Sequence, residues 1–258
     1  HPAQRTIRSE KTVTEALDPQ KLDDRVARML DVYANERFDR PRTAGLLRLR
    51  LVLWVIRNRI AGGLKRALDV TGAAVALVLL SPVMAATALA IVLDDPGPVF
   101  YRQVRVGKWG RTFRCFKFRS MYVNADKMKK ELTERNEADG PVFKIKNDPR
   151  ITRVGKFIRK FSIDELPQLI NVLRGEMSLV GPRPPLPSET DQYALHQRRR
   201  LDAVPGITGL QQVSGRSDLD FHTWVELDLQ YIAEQSFFKD LLILLKTIPA
   251  IVSGKGAY

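Results

Sequence analysis

Charge disappears from one long stretch of the chain. Val70–Leu93 holds 24 residues, mostly Ala, Val, Leu, Ile and Met, without a single Asp, Glu, Lys or Arg. As a helix rising about 1.5 Å per residue it is long enough to cross a hydrocarbon core of about 30 Å. Two features argue against a plain crossing. Ser81-Pro82 stands at the midpoint, where proline removes a backbone donor and crowds the preceding turn. Both flanks are basic: Arg48, Arg50, Arg57, Arg59, Lys65 and Arg66 precede the segment, and Arg102, Arg105, Lys108, Arg111, Arg114, Lys117 and Arg119 follow it. Positive flanks stay on the cytoplasmic side, so both ends favour one face. A proline-kinked spanning helix satisfies the hydropathy equally well; the charge symmetry selects a helix–break–helix that dips into the bilayer and returns. Ser81 is then placed to satisfy a carbonyl freed by Pro82, because unpaired backbone groups in lipid cost several kcal/mol.

Other apolar positions follow helical spacing. Leu46–Ile60 alternates apolar residues with arginines and holds Trp54; Phe237–Val252 sets Phe237, Phe238, Leu241, Leu242, Leu244, Leu245 and Ile248 around Lys239, Asp240 and Lys246. Each reads as an amphipathic helix, lying at headgroup level or packed on the protein's own core. Leu166, Leu169, Ile170 and Leu173 predict a helix opened by Ser162-Ile163-Asp164-Glu165 and closed by Arg174-Gly175. Ser162 and Glu165 have capping-box spacing, and Pro167 fits the first turn. A further helix is expected over Asp23–Asn35, and a charged helix and loop over Lys127–Gly140. Period-two alternation is scarce, and Val99–Val106 with Arg111–Phe118 is the expected hairpin. In Pro205–Arg216 (PGITGLQQVSGR) the glycines 206, 209 and 215 allow close backbone approach or positive φ. The fold class is therefore mainly α with a small β-hairpin: a monotopic membrane protein with a re-entrant helix–break–helix and interfacial amphipathic helices.

Charge narrows the partners. Lys and Arg number 42 against 29 Asp and Glu, a net +13, which favours nucleic acid, an anionic lipid surface or a phosphorylated substrate. The single cysteine, Cys115, excludes an internal disulfide and suits a reducing compartment. Residues 1–40 are charged throughout and show no signal-peptide pattern. The chain begins at His1 and reads as a processed, tagged or trimmed form.

The chemistry gathers around Asp164 and Glu165. At a helix start both carboxylates stay ionised, ready to act as a nucleophile or to hold Mg²⁺; merely complementing the dipole is the bland alternative. Arg150, Arg153, Lys156, Arg159 and Lys160 crowd upstream. Downstream, Gly181-Pro182-Arg183-Pro184-Pro185 forms a stiff loop that holds Arg183 in one orientation, and Lys117-Phe118-Arg119 adds further cations. A carboxylate pair ringed by cations suits a site where phosphates and a metal meet, while a basic face pressed on anionic lipid also accounts for the upstream arginines. Gly155-Lys156 lacks the rest of a P-loop. Asp218-Leu219-Asp220 has the DxD form of metal-dependent glycosyltransferases. His1, His196 and His222 have no metal-ligand spacing.

Taken in order, Lys65-Arg66 with Asp69, the hydrophobic segment with Ser81-Pro82, Lys117–Met121, Asp148-Pro149-Arg150, Ser162–Gln168, Gly175–Pro184 and Pro205–Gly209 resemble the bacterial sugar transferase family, the monotopic polyprenyl-phosphate sugar-phosphate transferases. The resemblance covers about residues 62–254. It leaves 1–61 as an appendage with a basic amphipathic helix and 255–258 as a tail, with the membrane hairpin at 66–95. It implies a UDP-sugar donor, undecaprenyl phosphate as acceptor, Mg²⁺, release of UMP, and a site at the cytosolic face of the bacterial cytoplasmic membrane. By the same resemblance Asp164 is the nucleophile and a metal ligand and Glu165 its partner. Lys117, Arg119, Arg159, Arg183 and Pro184 are expected around the substrate phosphates, and Ser81-Pro82 is the membrane break. The product, a sugar on a lipid diphosphate, would start an exopolysaccharide, a lipopolysaccharide or a related glycoconjugate. Homo-oligomerisation stays open.

Two other classes compete. A glycosyltransferase using Asp218 and Asp220 would release UDP instead of UMP. A membrane-associated nucleic-acid binder fits the charge, but it leaves the acidic pair unexplained and no nucleic-acid motif appears, so no nucleic-acid partner is expected.

Overall fold

The structure, a computed structural model, describes residues 41–125, 127–128, 141, 145, 148–216 and 219–254. The helix expected over Asp23–Asn35, most of the charged stretch after Lys127, Asp218 and the 255–258 tail lie outside the described residues. The chain divides into two compact units, 1–62 and 63–258, and each is described by itself. In the first, residues 41–62 form the opening part of helix α1 (Pro41–Asp94), with Leu53, Trp54, Ile56 and Ile60 exposed.

In the second unit α1 carries the charge-free segment. It stays helical through Ser81-Pro82, so that step is not a loop between two helices. The reason is local. Pro82 has no N–H to offer the Val78 carbonyl four residues back, and the Ser81 hydroxyl donates to that oxygen over 2.8 Å. The outward side chains Val75, Val78, Leu79, Leu89 and Leu93 are exposed, and the helix is long and apolar enough to cross a membrane.

Both ends of the segment are tied to the same body. On the entering side Arg66 donates to the Val172 and Leu173 carbonyls at 2.6 and 2.9 Å, capping the C-terminus of α3 (Gln168–Arg174). On the leaving side Asp94 accepts from the Val154 amide at 2.9 Å, in the first turn of α2 (Arg153–Lys160). Cation and anion thus each meet the helix end whose dipole suits them.

The expected hairpin forms as β1 (Phe100–Val106) and β2 (Thr112–Phe118), antiparallel, with Phe100 opposite Phe118 and Val106 opposite Thr112. A short parallel pair joins β3 (Ser178–Val180) to β4 (Gly206–Thr208). Close approach, not positive φ, accounts for Gly206: a Cβ there would lie 2.1 Å from the Gly181 nitrogen. The remaining helices are α4 (Pro187–Thr190), α5 (Leu210–Ser214), α6 (Phe221–Glu234) and α7 (Phe237–Ser253).

Three buried clusters make the core. Ala73 of α1 joins Cys115, Leu169, Val172 and Met177; Ile91 joins Phe118 and Ile158; Val180 joins Tyr231 and Ile243. Residues on both sides of Pro82 therefore pack on the body that contains β2. Beneath β3, Lys65 donates to Asp69 and to the Val180 carbonyl, each at 3.2 Å, and forms an ion pair with Asp240 at 2.8 Å. Through Lys65 and Asp240 that network joins α1 and α7 to the strand leading into the Arg183 loop. The opposite face of α7 leaves Phe238, Leu242, Leu245, Ile248 and Val252 exposed, the amphipathic character read from its sequence.

Candidate active site

The two carboxylates sit in a short 3₁₀ helix and not in the first turn of α3. Ser162 takes a left-handed conformation (φ 54°, ψ 21°) with no side-chain cap, Ile163–Glu165 form a 3₁₀ turn, and α3 begins only at Gln168, after Pro167. The capping-box expectation is corrected. Ser162 follows the α2 C-cap Phe161, and a serine held in the left-handed region there makes no side-chain cap bond. The C-terminal end is as expected, with Gly175 left-handed at φ 80°.

From this turn Asp164 and Glu165 face the end of β2. Lys117 donates to Glu165 over 2.7 Å and lies 4.0 Å from Asp164. Arg183, from the loop after β3, stands 3.6 Å from the same Glu165 oxygen. Arg159 makes no ion pair with the carboxylates, yet its charge bears on Asp164. Asp164, only 8% exposed, accepts no hydrogen bond among the described residues. Burial pushes its carboxyl up to about 6, Lys117 pulls the other way, and the neighbouring Glu165 adds to the rise. Glu165 also feels burial, but Lys117 and Arg183 outweigh it and hold the carboxyl down at about 2. The arrangement splits the pair, with one carboxylate hydrogen-bonded to Lys117 and one held only by the longer 4.0 Å contact to the same lysine.

Other expected residues fall elsewhere. The Arg119 guanidinium is buried and engages the Asp95 carboxylate and carbonyl, so it tethers the end of α1 to β2. Arg150 forks onto Asp148, with a closest contact of 2.6 Å. Asp220 caps α6, accepting from the Thr223 amide and hydroxyl at 2.8 and 2.9 Å. Pro184 is buried with its carbonyl accepting from Arg105 at 2.9 Å. In the sequence Arg105 is one flanking charge among several. Arg216, whose charge also reaches Glu165, lies at the end of the glycine-rich run, where no motif marks it.

Among the described residues no three His, Cys, Asp or Glu side chains converge to form a metal cage. Mg²⁺ does not need one, since it commonly binds through one or two carboxylates together with waters and substrate phosphates. Asp164, which accepts no hydrogen bond among the described residues and meets Lys117 only at 4.0 Å, fits that role; Glu165 is already occupied.

The chain matches the bacterial sugar transferase family over residues 60–254. It is 50% identical over 194 residues to the galactosyl transferase CpsE of Streptococcus agalactiae, covering 75% of this chain and 43% of that protein. It is 44% identical over 203 residues to the exopolysaccharide production protein ExoY of Rhizobium meliloti, covering 77% and 90%. It is 45% identical over 211 residues to the undecaprenyl-phosphate galactose phosphotransferase of Salmonella typhimurium, covering 79% and 43%. The matched part thus spans less than half of CpsE and of the Salmonella enzyme, and nine-tenths of ExoY. The chain belongs to the bacterial sugar transferase family.

Proposed function

We propose that the protein transfers a sugar 1-phosphate from a UDP-sugar to undecaprenyl phosphate, releasing UMP, and so starts a surface or exported polysaccharide. The observation that carries this is the split pair. Glu165 is neutralised by Lys117 at 2.7 Å and Arg183 at 3.6 Å, while Asp164 has only the same Lys117 at 4.0 Å and accepts no hydrogen bond among the described residues. Relatives named for moving galactose, N-acetylgalactosamine or glucose phosphate to undecaprenyl phosphate support the same chemistry.

In this reading an ionised Asp164 oxygen attacks the phosphorus that bears the sugar. The bond from that phosphorus to the oxygen shared with the α-phosphate breaks, and UMP departs with the electron pair. A lipid phosphate oxygen then attacks the same phosphorus, and the Asp164 carboxylate leaves. Lys117 and Arg183 hold the diphosphate and offset the charge that builds on its oxygens. Arg159 contributes at longer range, and the Pro184 backbone fixes the Arg183 loop. Mg²⁺ held by Asp164 and the diphosphate would draw charge from the reacting phosphorus. Two substrates arriving from different phases favour using one site in turn.

The membrane geometry in this reading is one-sided, with the site at the cytosolic leaflet. Its support is that Arg66 and Asp94, at opposite ends of the apolar segment, cap helices of one body. Proline inside a helix is a common cause of a sharp bend, and in this reading the bend would fall at Ser81-Pro82.

The test is product analysis: protein, undecaprenyl phosphate, Mg²⁺ and a panel of UDP-sugars, with the nucleotide product identified. UMP is expected. UDP would mean transfer of the sugar without its phosphate and would overturn the reading.

A further inference from the structure

Three residues of the Gly181–Pro185 loop are prolines and offer no N–H, so the loop is held chiefly by its carbonyls. Pro182 accepts from the Gly206 amide and Pro185 from the Val106 amide, each at 2.9 Å. The carbonyl immediately after Arg183, that of Pro184, is held differently: it accepts from Arg105 Nη1 at 2.9 Å. Arg105 is in turn pinned by Gln103, whose Oε1 accepts from Nε at 3.1 Å and from Nη2 at 2.7 Å. The guanidinium is therefore gripped on two sides, with its plane fixed.

No carboxylate among the described residues forms an ion pair with Arg105. Arg183 repels it, and Glu189 and Glu165 attract it from further away. Arg105 is half-buried, and partly removing a cation from water without a contacting counter-ion carries a cost that an apolar side chain at this place on β1 would not. What the guanidinium supplies is a rigid strut between a strand and the proline loop. Arg183 needs such a strut. Its side chain is 36% exposed, and its contact to Glu165, at 3.6 Å, is long. Its own contacts therefore hold it loosely, and its aim depends on where its backbone is placed.

We propose that Arg105 is a positioning residue for donor binding: by holding the Pro184 carbonyl it sets where the Arg183 guanidinium meets the donor phosphates. This rests on the transferase reading above. Misplacement of a binding group by about 1 Å is enough to cost up to about a hundredfold in rate, so loosening the strut has a measurable effect without removing any phosphate contact.

The test is a double-mutant cycle. Arg105→Lys keeps the charge but lacks the planar fork that bridges Gln103 and Pro184. Gln103→Leu leaves the arginine in place and frees its other end. Each is expected to lower kcat/KM for the UDP-sugar by about tenfold, with little change in the melting midpoint of the detergent-solubilised protein. In an Arg183→Met background the same substitutions should cost less than about twofold, because the group they aim is gone. Equal losses in both backgrounds would mean that Arg105 does not act through Arg183, and would overturn the proposal. Should Arg105→Lys melt early, Gln103→Leu carries the same comparison. If the unsubstituted protein releases no UMP from any UDP-sugar, the transferase reading falls and this one with it; an active protein with additive losses sinks only the role of Arg105.

Discussion

Lys117 donates to Glu165 over 2.7 Å, and that one contact separates two adjacent carboxylates that the sequence presents as equals. The lysine's attraction goes mainly to Glu165, so Asp164 keeps most of its desolvation cost and is the first of the pair to take a proton. In metal-free protein Asp164 should titrate near pH 6 while Glu165 stays ionised down to about pH 2. For stability the sign is as follows. A carboxyl raised from 3.8 to about 6 favours the fold while protonated, and that contribution is lost as pH rises through about 6. Activity runs the opposite way, since the nucleophile must be ionised, and should climb over the same interval. Lys117→Met should move the Asp164 titration to higher pH, read from the carboxyl bands in infrared spectra. A titration unmoved by Lys117→Met would show that the lysine does not govern the pair.

Arg183 and Arg119 should part company under substitution. Arg183→Ala is expected to lower turnover by about a hundredfold with the protein still in the membrane fraction, as for a charged group whose contact strengthens in the transition state. Arg119→Met breaks a buried pair, for which losses of about 3–5 kcal/mol are typical. The Asp95 side chain is 24% exposed, which reduces this to about 2 kcal/mol, or a fall of about 4–8 °C in melting temperature. Its turnover per folded molecule should stay much closer to normal. Comparable melting curves for the two variants would erase the distinction.

The different fates of Lys117 and Arg119 also show where sequence reading stops. Both lie in one basic motif, but β2 ends at Phe118, and the chain beyond it turns its next cation toward α1. The hairpin, the close of α3 at Gly175 and the helix over Phe237–Ser253 were legible because each follows from local periodicity or a terminating glycine. The Ser162 cap was not, since no spacing rule announces a serine held left-handed at φ 54°. Arg105 was invisible for a similar reason: its partner Pro184 is 79 residues away, and no spacing rule joins them. The Ser81 hydroxyl was legible because the carbonyl freed by a proline is always four residues back.

That last contact predicts a non-additive pair. Ser81→Ala leaves the Val78 carbonyl without a donor in apolar surroundings and should destabilise the protein by about 1–2 kcal/mol. In a Pro82→Ala background residue 82 regains an N–H for that carbonyl, so the same change should cost close to nothing. Thermal inactivation in lipid discs reads both. The Pro82→Ala variant also tests the topology. Cysteines at positions 63 and 98, in a Cys115→Ala background, should both label from the cytoplasmic face while Pro82 is present. Labelling from opposite faces would remove the one-sided insertion.

The most specific expectation is a sugar phosphate carried on Asp164. Without the lipid acceptor, a ping-pong enzyme completes its first half-reaction and stops. Mixing the protein with its UDP-sugar and Mg²⁺ alone should therefore release about one UMP per active site, as expected of a covalent intermediate. The protein should gain the mass of one sugar phosphate, located on the peptide that holds Asp164. Asp164→Asn removes the nucleophile with almost no change in shape, and should give neither burst nor adduct. Glu165→Gln is the informative control. It frees Lys117 from its 2.7 Å partner, so the lysine's attraction shifts toward Asp164. The carboxylate then becomes easier to ionise but a weaker nucleophile, and the burst should persist at a lower rate. If UMP appears only once undecaprenyl phosphate is added, and rapid quenching finds no modified Asp164, the lipid phosphate attacks the donor directly. Asp164 would then serve as a ligand for the metal alone.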